Sequence, residues 1–289
     1  MKEFIQVDEV AKVSKEDFLN KYKNPELPLL MRGMTEEWGA KEKWSLEYFE
    51  SQAGDEMVKL YDSTPSKDKK LQHAAAQTMP LRKYFDLLRK GEKDLRMFFF
   101  NIIDQAPSLQ KDFKYPEVGL SFFKRLPVMF VGGKGAKVQM HFDIDYADIF
   151  LCHFGGKKKF MLFSPEQTKL MYHVPYSFSA LFDVDFENPD YEKYPALREL
   201  QGYETELNHG DILYIPPGWW HYVTYEDISY SMALRAFPRK LGNLYRMLRN
   251  IVWIRSIEGV MRKLRGQKWN DRNERLAVSR TNDYLKSIS

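Results

Sequence analysis

Hydrophobic positions in the first third of the chain come in short bursts separated by polar stretches. "PLLMRG" (28–33) and "MVKLYD" (57–62) are apolar runs of strand length, and the pattern predicts a strand at each. "SLEYFESQ" opens on Ser45, a residue type that caps helix N-termini, although Tyr48 stands where an ideal capping box has Glu. Residues 79–91 carry Leu81, Phe85 and Leu88 at helical spacing, with a proline in the first turn and Gly91 as a stop. "LRMFFFNII" then reads as strongly β-prone. From Leu126 to Phe237 β signals dominate. "LPVMFVGGKGAKVQMHFD" is two apolar runs joined by a glycine-rich turn, which predicts a hairpin. "IFLCHFGGKKKFMLFSP", "ETELNHGDILYIPPGWWHYVTY" and "ISYSMALRAF" add further strands cut by Gly and Pro. Many short strands with tight turns predict a β-sandwich or barrel with helices before and after it. The tail has apolar residues at 241, 244, 248, 251 and 252, a stripe of about three turns that predicts a helix packed against a partner subunit.

Composition narrows this picture. A chain of 289 residues with 44% hydrophobic and 15% aromatic residues can bury a large core. No run of about 18 apolar residues predicts a transmembrane helix, and the acidic start predicts no secretion signal. Cys152 is the single cysteine, so an internal disulfide is excluded, and the expected setting is cytoplasmic. The net charge of +4 is uneven: from Arg235 onward basic residues outnumber acidic ones by roughly three to one, whereas 182–194 is rich in acids. The basic tail fits a solvated helix face beside a dimer seam, and also an anionic partner such as a membrane surface or RNA. "VGGKG" lacks the following Lys-Ser/Thr and the helix that a phosphate-cradling loop needs.

Candidate chemistry begins at "QMHFDIDYADIF". His141, Asp143 and Asp145 stand at every second position, so an extended 139–145 would aim them at one side. By itself this also fits the polar face of a surface strand. The segment Gly210 to Val223 adds a second histidine source: a turn, the strand "ILYI", and a "PPG" corner that leads to Trp219, Trp220 and His221. Two imidazoles and one carboxylate are the donor set of the facial triad that holds ferrous iron with open positions. Asp145 is the alternative carboxylate. Cys152 has no evident general base beside it and is not expected to be a nucleophile. His73, His173 and His209 are expected at the surface or in turns, and His153 as a pocket or packing residue.

"HFD" together with "GDILYIPPGWWH" resembles the Jumonji-C and cupin-like 2-oxoglutarate oxygenases. More narrowly, 184–207 followed by that element is similar to the asparaginyl hydroxylase called factor inhibiting hypoxia-inducible factor. The resemblance is clear over Leu126–Phe237 and loose before it, at "PLLMRG", Trp38 and "KWSLEYF". It implies a mainly β fold with flanking helices: an α/β elaboration over 1–120, a double-stranded β-helix over 121–238, and a helical tail over 239–289 through which the chain would form a homodimer. It further implies that His141, Asp143 and His221 ligate Fe(II), and that Lys158, two positions past a glycine, pairs with the far carboxylate of the cosubstrate 2-oxoglutarate. Arg235 would add charge at the cosubstrate site. Departures stand beside these matches: Val138, Phe98 and Ala147 occupy positions where the hydroxylase has a threonine, a tyrosine and an asparagine. Trp219, Trp220, Tyr214 and Phe142 are candidates for keeping water from the metal, or ordinary core. The activity implied is a dioxygen-dependent hydroxylation of a protein side chain or small molecule. An RNA-modifying oxygenase and a cupin-like binder that holds a metal and ligand without turnover are the alternatives.

Overall fold

The computed structural model describes residues 1–62 and 75–288. Among these lie fourteen strands: β1 Ile5–Gln6, β2 Asp8–Val10, β3 Leu29–Met31, β4 Met57–Tyr61, β5 Gln77–Pro80, β6 Arg96–Asn101, β7 Val128–Gly132, β8 Lys137–His141, β9 Asp148–Gly155, β10 Lys158–Phe163, β11 Tyr203–Leu207, β12 Ile212–Ile215, β13 Trp220–Tyr225 and β14 Ser229–Ala236. They form two sheets. One has five strands in the order β1-β11-β10-β13-β8, and the other nine in the order β2-β3-β12-β9-β14-β7-β6-β4-β5. This is a mainly β, cupin-type sandwich with helices before and after it, as the pattern of short strands predicts. Strands of the first third extend the larger sheet, β3 against β12 and β6 against β7.

Alternation along the strands sorts side chains into three cores. Between the sheets lie Phe160 and Leu162 of β10, Val223 and Tyr225 of β13, and Ile149, Leu151, Leu213 and Ala233 of the larger sheet. The outer face of the larger sheet, with Phe150, Cys152, Phe154, Ile212 and Tyr214, is covered by the N-terminal elements. The outer face of the smaller sheet, with Met161, Phe163, Trp220 and Tyr222, is covered by the segment 165–200 and by Ala277 of the terminal helix Gln267–Ile288. Covered on both sides, β9 is buried along its whole length, which is why it reads as a continuous apolar run.

The predicted hairpin over 126–143 does not form. β7 pairs with β6 and β14, whereas β8 pairs with β13 in the opposite sheet. The glycine-rich turn is therefore a corner between sheets, pinned where the Gly135 amide donates to the Tyr225 carbonyl. The helices fare better. Leu46–Ala53 begins at Ser45, whose hydroxyl accepts from the Tyr48 amide, and 79–91 yields the helix Leu81–Arg89. The β-prone run at 95–103 is a strand only to Asn101, with a bulge between Met97 and Phe100.

The tail is inverted relative to an ordinary surface helix. From Leu241 to Arg265 it is helical, with a π-helical stretch Arg249–Ile254, and its buried residues are Asn243 and Asn250. Asn243 donates to Glu26 and Asn250 to the Ile144 carbonyl. The apolar residues Leu241, Tyr245, Leu248, Val252, Val260 and Leu264 face outward instead. No helix among the described residues is long and apolar enough to cross a membrane.

Candidate metal centre

A β-bulge sets the site. In the β8–β13 ladder His221 stands opposite His141 and Val223 opposite Val138, so one residue on β13 faces two, Gln139 and Met140, on β8. The extra residue rotates the strand end. Val138 packs into the core between the sheets, Met140 points outward, and His141 is returned to the inner face beside His221. The two imidazole rings lie 4.1 Å apart, centre to centre.

Both rings are held in one tautomer. His141 Nδ1 lies 2.8 Å from the Gln139 carbonyl and His221 Nδ1 3.1 Å from that of Trp219. A carbonyl oxygen only accepts, so each Nδ1 carries a hydrogen and Nε2 is the nitrogen left to face the site. That is how a metal-ligating histidine is usually prepared.

Asp143 arrives by a different route from the one alternation predicts. β8 ends at His141, residues 144 and 145 form a turn, and the Tyr146 amide donates to the Asp143 carbonyl. Asp143 Oδ2 comes within 3.7 Å of His221 Nε2, while its Oδ1 accepts from Arg235 Nη2 at 3.0 Å. Arg235 Nη1 binds both oxygens of Asp145, at 2.8 and 3.0 Å. The terminal nitrogens of Arg235 are thus taken by two carboxylates, and its buried Nε has no partner among the described residues.

Charge follows from this packing. Burial pushes the Asp143 carboxyl up, but Arg235, His221 and His141 together outweigh it and hold Asp143 well below the usual carboxylate range. Burial prevails at Asp145, whose carboxyl is raised. Burial above all pushes His221 down to about 4, which keeps it neutral. Among the described residues no three His, Cys, Asp or Glu side chains are grouped tightly enough to hold an ion as they stand. His141, His221 and Asp143 form two close pairs instead of a closed set, with the carboxylate drawn toward Arg235. The donors themselves, two imidazoles and one ionised carboxylate, fit a divalent transition metal such as ferrous iron.

Lys158 occupies the inner face of β10, where Phe160 and Leu162 share its side. It is only 1% exposed, whereas Lys157 and Lys159 face outward and pair with Glu206 and Glu204. Burial pushes its ammonium down to about 7. Its Nζ donates to the Ser231 hydroxyl at 2.8 Å and lies 4.3 Å above the Tyr225 ring, with no carboxylate partner among the described residues. His153 completes the group. Its Nε2 lies 2.9 Å from the Gly156 carbonyl and must be the donor, so Nδ1 accepts from Ser231, 2.8 Å away. Ser231 therefore spends its one proton on His153 and presents only lone pairs to Lys158. Burial first, then the Lys158 charge, pushes His153 down to about 3.

Neither Ser231 nor Tyr225 stands out as a candidate in the sequence. The signal was available: in "SYSMALRA" the small or polar Ser229, Ser231, Ala233 and Arg235 alternate with larger apolar residues, marking one inward face.

Several expected placements need correction. Phe98 is 44% exposed and stacks on Tyr61 at 4.2 Å, so it does not stand in for a cosubstrate-binding tyrosine. Of the four proposed water-excluding residues only Trp219 lies between the sheets. Phe142 and Trp220 point to the outer face, where their rings meet at 4.8 Å, and Tyr214 lies in the opposite outer core with its hydroxyl on Asp148. His173 is half-buried, packed against Phe142 and Trp220. His209 is exposed in its turn, Ala147 is buried between the sheets, and His73 lies outside the described residues. Burial pushes the Cys152 thiol up, consistent with an inert core residue.

Comparison with known proteins agrees with the fold. A family model described as "Cupin-like domain" matches residues 15–237. The chain is 29% identical over 260 residues to tRNA wybutosine-synthesizing protein 5 of Gallus gallus, covering 82% of this chain and 78% of that protein. It is 26% identical over 265 residues to JmjC domain-containing protein D of Dictyostelium discoideum, covering 79% and 56%. It is 27% identical over 228 residues to Lysine-specific demethylase 8 of Xenopus tropicalis, covering 76% and 50%. The last two are matched over about half their own length. With the family match spanning most of the chain, from the first helix to the end of the last strand, and relatives that bear Jumonji-C names, the chain belongs to the cupin-like domain family.

Proposed function

We propose that the protein is an Fe(II)- and 2-oxoglutarate-dependent oxygenase that hydroxylates a protein side chain or a small molecule. The observation that carries this reading is a pairing. Two imidazoles 4.1 Å apart and a carboxylate 3.7 Å from one of them lie inside the sandwich, and the same interior holds a buried lysine with no anion of its own among the described residues. A buried ammonium without a counter-ion is costly, and a dicarboxylate cosubstrate supplies one. By register, Leu162 stands opposite His221, and Lys158 lies four residues earlier on β10, about 13 Å along the strand. A lysine side chain and a five-carbon diacid can together span that interval.

His141, Asp143 and His221 would hold the iron. When bound, the metal supplies oxidative chemistry with dioxygen while 2-oxoglutarate is converted to succinate and carbon dioxide. The chain's own contribution is position and charge. The Gln139 and Trp219 carbonyls hold the imidazoles with Nε2 available, and Arg235 keeps Asp143 ionised. Ser231 and His153 orient the Lys158 ammonium toward the cosubstrate, and Trp219 with the apolar core between the sheets limits water.

The test is succinate release from 2-oxoglutarate in the presence of ferrous iron, with His141→Ala as the control. Release above that control supports the oxygenase. Binding of metal and 2-oxoglutarate without release, across protein, small-molecule and RNA candidates, favours the cupin-like binder. RNA belongs in that panel because one relative is named a tRNA wybutosine-synthesizing protein.

A further inference from the structure

Behind the smaller sheet, on the side away from the candidate metal centre, a cavity of about 660 Å³ opens between the segment after β10 and the terminal helix. That volume lies in the range of small-molecule sites, about 300–1,000 Å³. Lys169, His173, Tyr176, Arg280, Thr281 and Tyr284 supply its polar and aromatic groups, and among the described residues no carboxylate lines it. Lys169 Nζ lies 4.9 Å above the Tyr284 ring, and among the described residues neither Lys169 nor Arg280 has an ion-pair partner. Two cations facing one cavity without an acid select for an anion.

The floor adds a second requirement. His173 Nε2 lies 2.8 Å from the Ser177 carbonyl and so must donate, which leaves Nδ1 as an acceptor. Burial, offset in part by that bond, pushes its pKa down, so the ring is neutral. Thr281, only 4% exposed, also lines the cavity. A ligand that satisfies these groups carries hydroxyls as well as an anion. Tyr176, itself backed by Trp269 at 5.3 Å, and Tyr284 offer ring faces for a planar group. His173 packs on Phe142 and Trp220, so one layer of rings separates the cavity from His141, Asp143 and His221.

We infer that this cavity is a binding site for a nucleoside monophosphate: phosphate on Lys169 and Arg280, base against the tyrosines, ribose hydroxyls on His173 and Thr281. The inference is independent of the oxygenase reading. Titration calorimetry of the full chain in metal-free buffer, with AMP, CMP, adenosine and inorganic phosphate as probes, tests it. Saturable binding of AMP or CMP is expected, with adenosine and inorganic phosphate each weaker by at least about tenfold. Arg280→Gln and Lys169→Gln, both at exposed positions that folding tolerates, should each weaken AMP by about tenfold. Absence of saturable nucleotide binding would overturn the inference. So would AMP binding that both variants leave unchanged, or phosphate binding as tight as AMP.

Discussion

Replacing Lys158 with methionine separates what the residue costs the fold from what it gives the site. In the folded protein Lys158 titrates at about 7 instead of 10.5, because burial disfavours its charge. Below pH 7 folded and unfolded chains both carry the proton, and folding bears the whole burden of the buried charge, at most about 5 kcal/mol. Between these two pKa values the unfolded chain binds more protons, so stability rises with pH, and above about 10.5 the burden is gone. Methionine fills similar space without charge but forfeits the bond to Ser231, worth roughly 1–2 kcal/mol. Lys158→Met should therefore raise apo stability by about 2–4 kcal/mol at pH 6, and by nothing, or slightly less than nothing, at pH 10. Urea denaturation at the two pH values reads this directly, and other titrating groups cancel in the comparison. The same variant should lose 2-oxoglutarate binding, which in the wild type tightens as pH falls toward 6 and the ammonium fills. A variant less stable than wild type at pH 6, a difference that ignores pH, or undiminished 2-oxoglutarate affinity would refute the reasoning.

Three further outcomes are expected. Arg235→Met strands two carboxylates inside the barrel and should cost about 3–5 kcal/mol in urea denaturation; a loss under about 1 kcal/mol would mean that Asp143 and Asp145 find other partners. Gly156→Ala should cost more than about 2 kcal/mol, because Gly156 sits at φ +68° and a Cβ would lie 2.1 Å from the Ile228 carbonyl oxygen. We propose that a second copy of the chain covers the outward apolar stripe; Leu248→Glu, at a 52% exposed position on it, should then leave the fold intact and give a monomer where the wild type is a dimer by light scattering, and a wild-type chain already monomeric at micromolar concentration would sink that expectation.

Much of the architecture was legible because alternation and turn chemistry are local. Lys158, Phe160 and Leu162 share one face as a period of two demands, and Ser45 caps its helix as its hydroxyl allows. What could not be read depends on partners distant in sequence. Nothing in "VGGKGAKVQM" reveals that β7 and β8 pair with β14 and β13 instead of each other, because a corner and a hairpin use the same glycines. The bulge at Gln139–Met140 is equally silent, since only the register against His221 and Val223 defines it. Asp145 illustrates the same limit. It shares the parity of Asp143, but a turn rather than an extended strand brings both to Arg235, so they met for a reason that alternation does not supply. Ser231 was missed because a serine is unremarkable until His153 and Lys158 are seen to converge on it.

The ring contact between Phe142 and Trp220 has a thermodynamic consequence. Phe142 sits between two of the donors in sequence and Trp220 adjoins the third, so on the far side of the sheet an aromatic rivet fastens together the segments that carry all three. Metal capture would then need Asp143 to turn from Arg235 toward the imidazoles over an apolar frame already packed, with little apolar surface newly hidden. Calorimetry of metal binding should accordingly show almost no change in heat capacity, and Trp220→Ala should give that change a clearly negative value as the frame comes to assemble around the ion.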